Sequence, residues 1–183
     1  MALAVREGVG SVGARLLYAD RSVQHAGVVL GVMGVANHLH RNVNVDHPGY
    51  FGRLQLCQEL SGSTGACLVV KRSVYEELGG LDETNLAVAF NDVDFCLRLR
   101  EVGYRNLWTP HATLFHMESA SRGSDMDDDK FQRFEKEVHY MQRRWGDALE
   151  QDPFYNPNLS LKGDDMSLAS PPRTDRPWVK LKQ

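Results

Sequence analysis

Cysteine is scarce in these 183 residues, and the three present, Cys57, Cys67 and Cys96, are widely and unevenly spaced. An odd number, no Cys-x-x-Cys pair and no secretory apolar region near the N-terminus together point to a reducing, cytosolic compartment. An excess of one charge is lacking too. The 21 Lys+Arg against 24 Asp+Glu leave a formal net charge of −3, which excludes a strongly basic nucleic-acid binder acting through bulk electrostatics. No apolar run approaches the ~18 residues a membrane span needs, so no transmembrane segment is expected, while peripheral attachment stays open. There is no repeat at solenoid periods. No GxGxxG, P-loop, GxSxG or HExxH motif occurs either.

What is present is ordinary for a folded domain. Hydrophobic residues make up 42% and charged residues 25%, a balance that argues against disorder. A chain of this size hides roughly 70% of its unfolded surface, so it needs no metal or disulfide to hold a core. One domain with a tail is the expectation.

Residues 11–19 and 23–32 read as two short strands, joined by a turn at Asp20, Arg21 and Ser22. Residues 34–53, rich in Gly, Asn, His and Pro, read as a loop, and the apolar run Gly65 to Val70 as a buried strand. Ser73 and Glu76 fit a capping box before Gly79-Gly80, which predicts a short helix over 74–78. A stronger helix is predicted over about 92–102, capped by Asn91 or Asp92, with Val93, Cys96, Leu97, Leu99 and Val102 inward and Gly103 as its stop. Residues 105–109 and 112–116 read as strands broken by Pro110. Phe131, Phe134, Val138, Met141 and Trp145 recur at helical spacing and predict one apolar stripe on a helix from about Asp127 to Leu149. Residues 153–183, Pro- and Asn-rich, read as an extended tail with little structure of its own.

Asn91-Asp92-Val93-Asp94 is the most suggestive chemical cluster. Two carboxylates two residues apart can hold a hard cation, or one of them can act as a general base. The bland alternative is that Asp92 or Asn91 caps the helix while Asp94 answers its dipole, and a cap residue can also face a cleft. His116 ends a strand near serines and Arg122, where it could ligate a metal or touch a phosphate; a satisfied, partly buried ring is the alternative. His38-Leu39-His40 is a weak half-site for zinc, and His25, His47, His111 and His139 form no pattern. Asp125 to Asp129 superficially resembles a calcium loop but lacks its glycine and distal glutamate, so a helix start explains it better.

The run Gly65-Ala-Cys-Leu-Val-Val-Lys-Arg-Ser-Val-Tyr-Glu-Glu-Leu-Gly-Gly-Leu-Asp-Glu83 resembles the middle of bacterial family-2 glycosyltransferases, rhamnosyltransferase-like members in particular. Phe90-Asn-Asp-Val-Asp-Phe-Cys-Leu-Arg-Leu-Arg-Glu-Val-Gly-Tyr104 is similar to the same group. So are His116 to Gly123 and Asp152-Pro-Phe-Tyr-Asn-Pro-Asn-Leu159. The resemblance runs from about Val12 to Arg173 and implies an α/β fold of GT-A type, present only in its C-terminal, acceptor-side part. Residues 1–152 would then form a mixed sheet with flanking helices, and 153–183 the extended tail.

The activity so implied is inverting transfer of a sugar from a nucleotide-sugar donor to a glycan or lipid-linked acceptor, in cell-surface polysaccharide biosynthesis. Manganese or magnesium would stabilise the departing diphosphate. The family's base position falls on Asp92, with Asp94 as second choice; relatives often carry a glutamate where this chain has Asn91, which removes a charge. Amide dipoles at the helix start favour the negative form of Asp92 and make it a weak base that works through positioning. His116 matches the family histidine near the metal and diphosphate, and Arg122 would help hold phosphate charge. Thr64, Gly65 and Ala66 match the segment lining the sugar or acceptor site, where Gly65 would permit close approach of substrate.

In the family, the nucleotide-binding βαβ units and the Asp-x-Asp metal motif precede the point where this sequence begins. The expected partners are therefore a nucleotide-binding half supplied elsewhere, or a second copy, since an isolated half exposes a sheet edge and apolar surface. The chain alone is expected to be inactive, located in the cytoplasm, with a peripheral position at the inner membrane compatible. A non-catalytic glycan-binding or assembly remnant is the alternative, and a metal-dependent hydrolase built on Asp92, Asp94 and His116 a third.

Overall fold

The longest apolar strand sits at the centre of the molecule. β1 (Val9–Leu17) is buried along almost its whole length, as a strand covered on both faces must be. β7 (Arg105–Phe115) lies parallel along one side of it. On its other side β2 (Val23–His25) and β6 (Leu68–Val70) both run antiparallel to it. β5 (Gln58–Glu59) adds a short antiparallel edge to β7. The result is a curled, mixed five-stranded sheet, beside which β3 (Val28–Leu30) and β4 (Ala36–His38) form a two-stranded sheet. Among the described residues three α-helices pack around these: α1 (Arg72–Glu77), α2 (Asn91–Glu101) and α3 (Asp128–Glu150). The computed structural model describes residues 2–117 and 128–174. It is an α/β protein, as expected, and the turn at residues 20–22 joins antiparallel strands, with Leu17 opposite Val23.

Several local expectations are corrected. Pro110 does not split the strand: β7 runs through it. The register against β1 jumps from Ala14 opposite Thr109 to Arg15 opposite Thr113, so residues 110–112 bulge and the missing proline N–H falls outside the ladder. The stretch 34–53 contains β4 and a 3-10 turn at Tyr50–Gly52. Residues 65–67 form another 3-10 turn, and the strand after it is half-buried rather than buried. The capping box at Ser73 does not form; Lys71 precedes α1 without a side-chain cap, and Glu76 instead pairs with Arg72 at 2.7 Å. Val102 is exposed rather than inward.

The core joins α2 and α3 to the small sheet. Val28, Leu30, Val93, Leu97, Met141 and Trp145 meet there, each large side chain contributing about 1.5–3 kcal/mol by leaving water. The segment after α3 has almost no regular structure but is not free. Tyr155, Leu159 and Met166 are buried against Val29, Val32 and Leu39. Asp152 accepts hydrogen bonds from the Leu30 N–H, the Ser61 hydroxyl and the Phe154 N–H, each at 2.8 Å. The Arg173 guanidinium ties down the carbonyls of Leu159 and Glu150. The expected loose tail is thus a strap across the body, at least to residue 174.

Candidate functional site

α2 begins abruptly. Phe90, the residue in the cap position, holds a left-handed backbone with φ 62 and offers no side-chain cap bond. Glu137 of α3 fixes this approach, its two carboxylate oxygens accepting from the Val88 and Ala89 N–H groups at 3.0 and 2.9 Å. Neither Asn91 nor Asp92 is the cap; Asn91 opens the helix half-buried.

Asp92 is therefore available for other contacts. Its Oδ1 accepts from the Val93 N–H at 2.8 Å and its Oδ2 from the Gly65 N–H at 2.6 Å. The carboxylate lies between the first turn of α2 and the 3-10 turn Gly65–Cys67, and both present N–H groups that favour negative charge. Each oxygen keeps a further lone-pair direction. The carboxylate lines an open cleft of about 410 Å³ whose walls include Leu68, Val70, Tyr75, Leu81 and Phe95, with Arg72 at its edge. An aromatic ring, an apolar wall, one carboxylate and one guanidinium together suit a sugar ring bearing hydroxyls. Arg72 and Tyr75 were missed in the sequence; each sits in a helix too short to show a face.

Thr64 caps the 3-10 turn, its Oγ1 accepting from the Ala66 N–H at 3.3 Å, and of the three residues Thr64, Gly65 and Ala66 it is Gly65 whose N–H bonds Asp92. A side chain at Gly65 would meet Asp92 Cβ at 3.4 Å, so what approaches this glycine closely is the aspartate itself.

Asp94 is elsewhere. It is fully buried, with Oδ2 bound to Arg98 Nε at 2.8 Å and Oδ1 to Trp145 Nε1 at 2.9 Å. Arg144 Nε stands 3.5 Å from it. Arg98 in turn donates to the carbonyls of Leu78 and Gly80. The position is that of an internal brace between α2, α3 and the 78–80 turn.

His116 lies at the far end of β7, and its N–H donates to the Leu17 carbonyl at 3.0 Å. It lines a separate cavity of about 500 Å³ with Tyr18, Asp20, Ser22 and Asn42. Gln24 fixes the state of the ring. Its Nε2 donates to the His116 carbonyl at 3.1 Å, so its Oε1 faces His116 Nδ1 at 2.9 Å. Nδ1 therefore donates to Gln24, which orients the ring and turns Nε2 away from it, the arrangement of a metal-ligating histidine with its outer partner in place. Among the described residues no group of three or more His, Cys, Asp or Glu could hold a metal ion. His116 would be one ligand of such an ion, not a complete site. Arg122 lies outside the described residues.

His25, patternless in the sequence, links the two places. It is fully buried, and burial, followed by the nearby His38, lowers its pKa well below 6.5. Its Nε2 accepts from the Thr64 and Gly27 N–H groups at 3.4 and 3.3 Å. The His38 ring packs edge-on to it at 4.7 Å, and His38 Nδ1 lies 3.3 Å from the Gln24 carbonyl. His40 diverges to accept from the Tyr50 N–H, so His38 and His40 do not form a zinc half-site.

No family model matches the chain. An uncharacterized protein, y4gI, of Sinorhizobium fredii is 53% identical over 171 residues, which is 93% of this chain and 19% of that protein. The O-antigen biosynthesis protein RfbC of Myxococcus xanthus is 36% identical over 172 residues, 92% of this chain and 13% of that protein. An N-acetylglucosaminyl-diphospho-decaprenol L-rhamnosyltransferase of Mycobacterium tuberculosis is 36% identical over 62 residues, 34% of this chain and 20% of that protein. The chain spans about a fifth or less of the length of the curated relatives it matches. It is similar, over most of its length, to a protein named for O-antigen biosynthesis and, over a third, to a named glycosyltransferase.

Proposed function

We propose that this chain is the acceptor-side part of an inverting, GT-A-type glycosyltransferase that moves a sugar from a nucleotide-sugar donor to a glycan or lipid-linked acceptor. The observation that carries the reading is Asp92. Its carboxylate is held by the Gly65 and Val93 N–H groups at the rim of a cleft with an aromatic wall. A hydroxyl of the acceptor would donate to a remaining lone pair of Asp92 and pass its proton there as it attacks the anomeric carbon. The contribution of Asp92 is mainly orientation, since the two N–H groups hold its carboxylate in place. Thr64, Gly65 and Ala66 form the adjoining floor. Asp94 acts at one remove, keeping α2 in place through Arg98 and Trp145. Manganese or magnesium would supply charge stabilisation for the leaving diphosphate, with His116 Nε2 as the ligand this chain contributes and Arg122 as a phosphate partner.

The cleft is one-sided. β6 pairs with β1 along one edge, and among the described residues no strand pairs with its other edge. Leu68 and Val70 of this strand also line the Asp92 cleft. A bare edge beside an apolar wall suits cover by another strand, which supports a nucleotide-binding half supplied by additional polypeptide. The test is reconstitution. The chain alone, with manganese and a panel of nucleotide sugars, should show no tight binding by calorimetry and no transfer. Joined to a nucleotide-binding half of a long relative, it should transfer sugar to a glycan acceptor. A folded, joined protein that binds nucleotide sugar yet transfers nothing would favour a glycan-binding remnant instead.

A further inference from the structure

A second cavity adjoins the Asp92 cleft. It is open, measures about 740 Å³, and Tyr75 and Leu81 line both spaces. The Arg72–Glu76 pair spans the same boundary, with Arg72 on the cleft and Glu76 on the second cavity. Tyr75 is 39% exposed, yet its ring is fixed. The buried Phe95 ring lies 5.3 Å from it, and its hydroxyl accepts from the Leu81 N–H at 3.3 Å. At Gly80 a Cβ would stand 3.0 Å from the ring and from the hydroxyl, so the glycine lets the turn close on this edge of the phenol. The turn is held from beneath as well. Arg98, bound to the buried Asp94, donates to the Leu78 and Gly80 carbonyls, each at 2.7 Å.

The charges around the two spaces are mixed and mostly committed. The second cavity is lined by the carboxylates of Glu76, Asp82 and Glu83 and the guanidiniums of Arg98 and Arg144. Glu76 is paired with Arg72, and Arg98 with Asp94. Asp82 accepts from the Thr84 and Asn85 N–H groups, the Asn85 amide and the Tyr140 hydroxyl. Arg144 donates to the same hydroxyl and stands 3.5 Å from Asp94. The cleft adds one charge of each sign, Asp92 and Arg72. Each guanidinium already has a carboxylate beside it, so neither space offers the surplus cation that a phosphate or sulfate would pair with. Glu83 and the Thr84 hydroxyl remain, and both are hydrogen-bonding partners for neutral hydroxyls.

We propose that the acceptor is a neutral oligosaccharide of at least two sugars, with Tyr75 as the platform between its two subsites. The terminal sugar offers its hydroxyl to Asp92 from the cleft. The sugar before it lies past Tyr75 and Leu81 in the second cavity, where Glu83 and Thr84 meet its hydroxyls. The C–H groups of a pyranose pack on the negative face of an aromatic ring while its hydroxyls bond around the edge. A ring locked before binding loses little entropy when a sugar settles on it. The inference rests on Asp92 receiving the acceptor, and it narrows the acceptor to a glycan that reaches beyond one residue.

The test is binding of the labelled full chain to an array of mono- to hexasaccharides, neutral and anionic sets side by side. Neutral glycans of two or more sugars should bind at least about tenfold more tightly than any monosaccharide. Tyr75→Ala should remove most of that advantage. Tyr75→Phe, which keeps the ring and loses the hydroxyl, should retain it, with far-UV circular dichroism unchanged in both variants. Binding to no neutral oligosaccharide, equal binding of monosaccharides, preference for the anionic set, or a Tyr75→Ala chain that binds like the parent would overturn the proposal. Transfer by the joined enzyme separates this inference from the reading beneath it. Equal transfer to monosaccharides and oligosaccharides would sink the inference alone. Oligosaccharide binding without any transfer would sink the transferase reading and leave the two subsites as a glycan-binding surface.

Discussion

Asp92 and Asp94 stand two residues apart in the first turn of one helix, and their surroundings have little in common. Asp94 points into the body and is enclosed by Arg98, Trp145 and Arg144. Asp92 points out over Gly65 into an open cleft. A helix turns about 200° in two residues, so a pair of neighbouring carboxylates is divided by geometry into an inner and an outer member. The inner one ties α2 to α3, and the outer one lines an open cleft.

The sharpest way to break that contrast is Asp94→Ala. It strands the Arg98 guanidinium and the Trp145 N–H in the interior and should cost about 3–5 kcal/mol in urea unfolding. Asp92→Asn should cost less than about 1 kcal/mol, because its partners are N–H groups at an accessible rim. Equal losses would mean the two carboxylates share one structural role. Asp152 is another inner carboxylate, and Asp152→Ala should remove roughly 2–3 kcal/mol and release residues 153–166 to protease.

A buried and a half-buried histidine extend the contrast to pH. His25 lies well below the ordinary 6.5, through burial and then His38, and His40 is lowered to about 4, through burial first and then Arg53 and His47. Both are neutral in the fold, while the unfolded chain gains protons as pH falls below 6.5. Stability that is complete above pH 6.5 should therefore decline toward pH 4. Urea midpoints taken across that window should fall, and His40→Gln should flatten part of the slope. A smaller effect belongs to Asp82. Burial raises its pKa, but the Asn85 backbone and side chain and the Tyr140 hydroxyl outweigh this and hold the carboxyl at about 2, against an ordinary 3.8. Its contribution is present above pH 3.8 and lost as pH falls toward 2, so Asp82→Asn should shallow the acid limb there.

What could be read in the sequence was mostly local. The bounds of α2 and α3 follow from periodicity, and the turn at 20–22 from its position between apolar runs. The inner role of Asp94 had a trace in Arg98, four residues on, where helical neighbours meet, but only Trp145 from a distant helix completes it. The left-handed Phe90 that displaces the expected cap depends on Glu137, 47 residues later, and had no local signal. The strap after α3 looked loose because its few anchors, Tyr155, Leu159 and Met166, follow no period. The stripe on α3 was legible as a stripe; that its first two turns stand off the body was not. His25 gave no hint, since a histidine accepting N–H bonds from a distant loop looks like any strand residue.

The central claim is that the outer carboxylate meets the acceptor in a cleft completed by polypeptide beyond this chain. Its most direct test is the turnover of Asp92→Asn in the joined, transferring enzyme, with donor binding and thermal unfolding measured on the same sample. The account predicts that turnover falls by about 10²–10⁴ while donor binding and melting stay near those of the parent. Full turnover in that variant would contradict it.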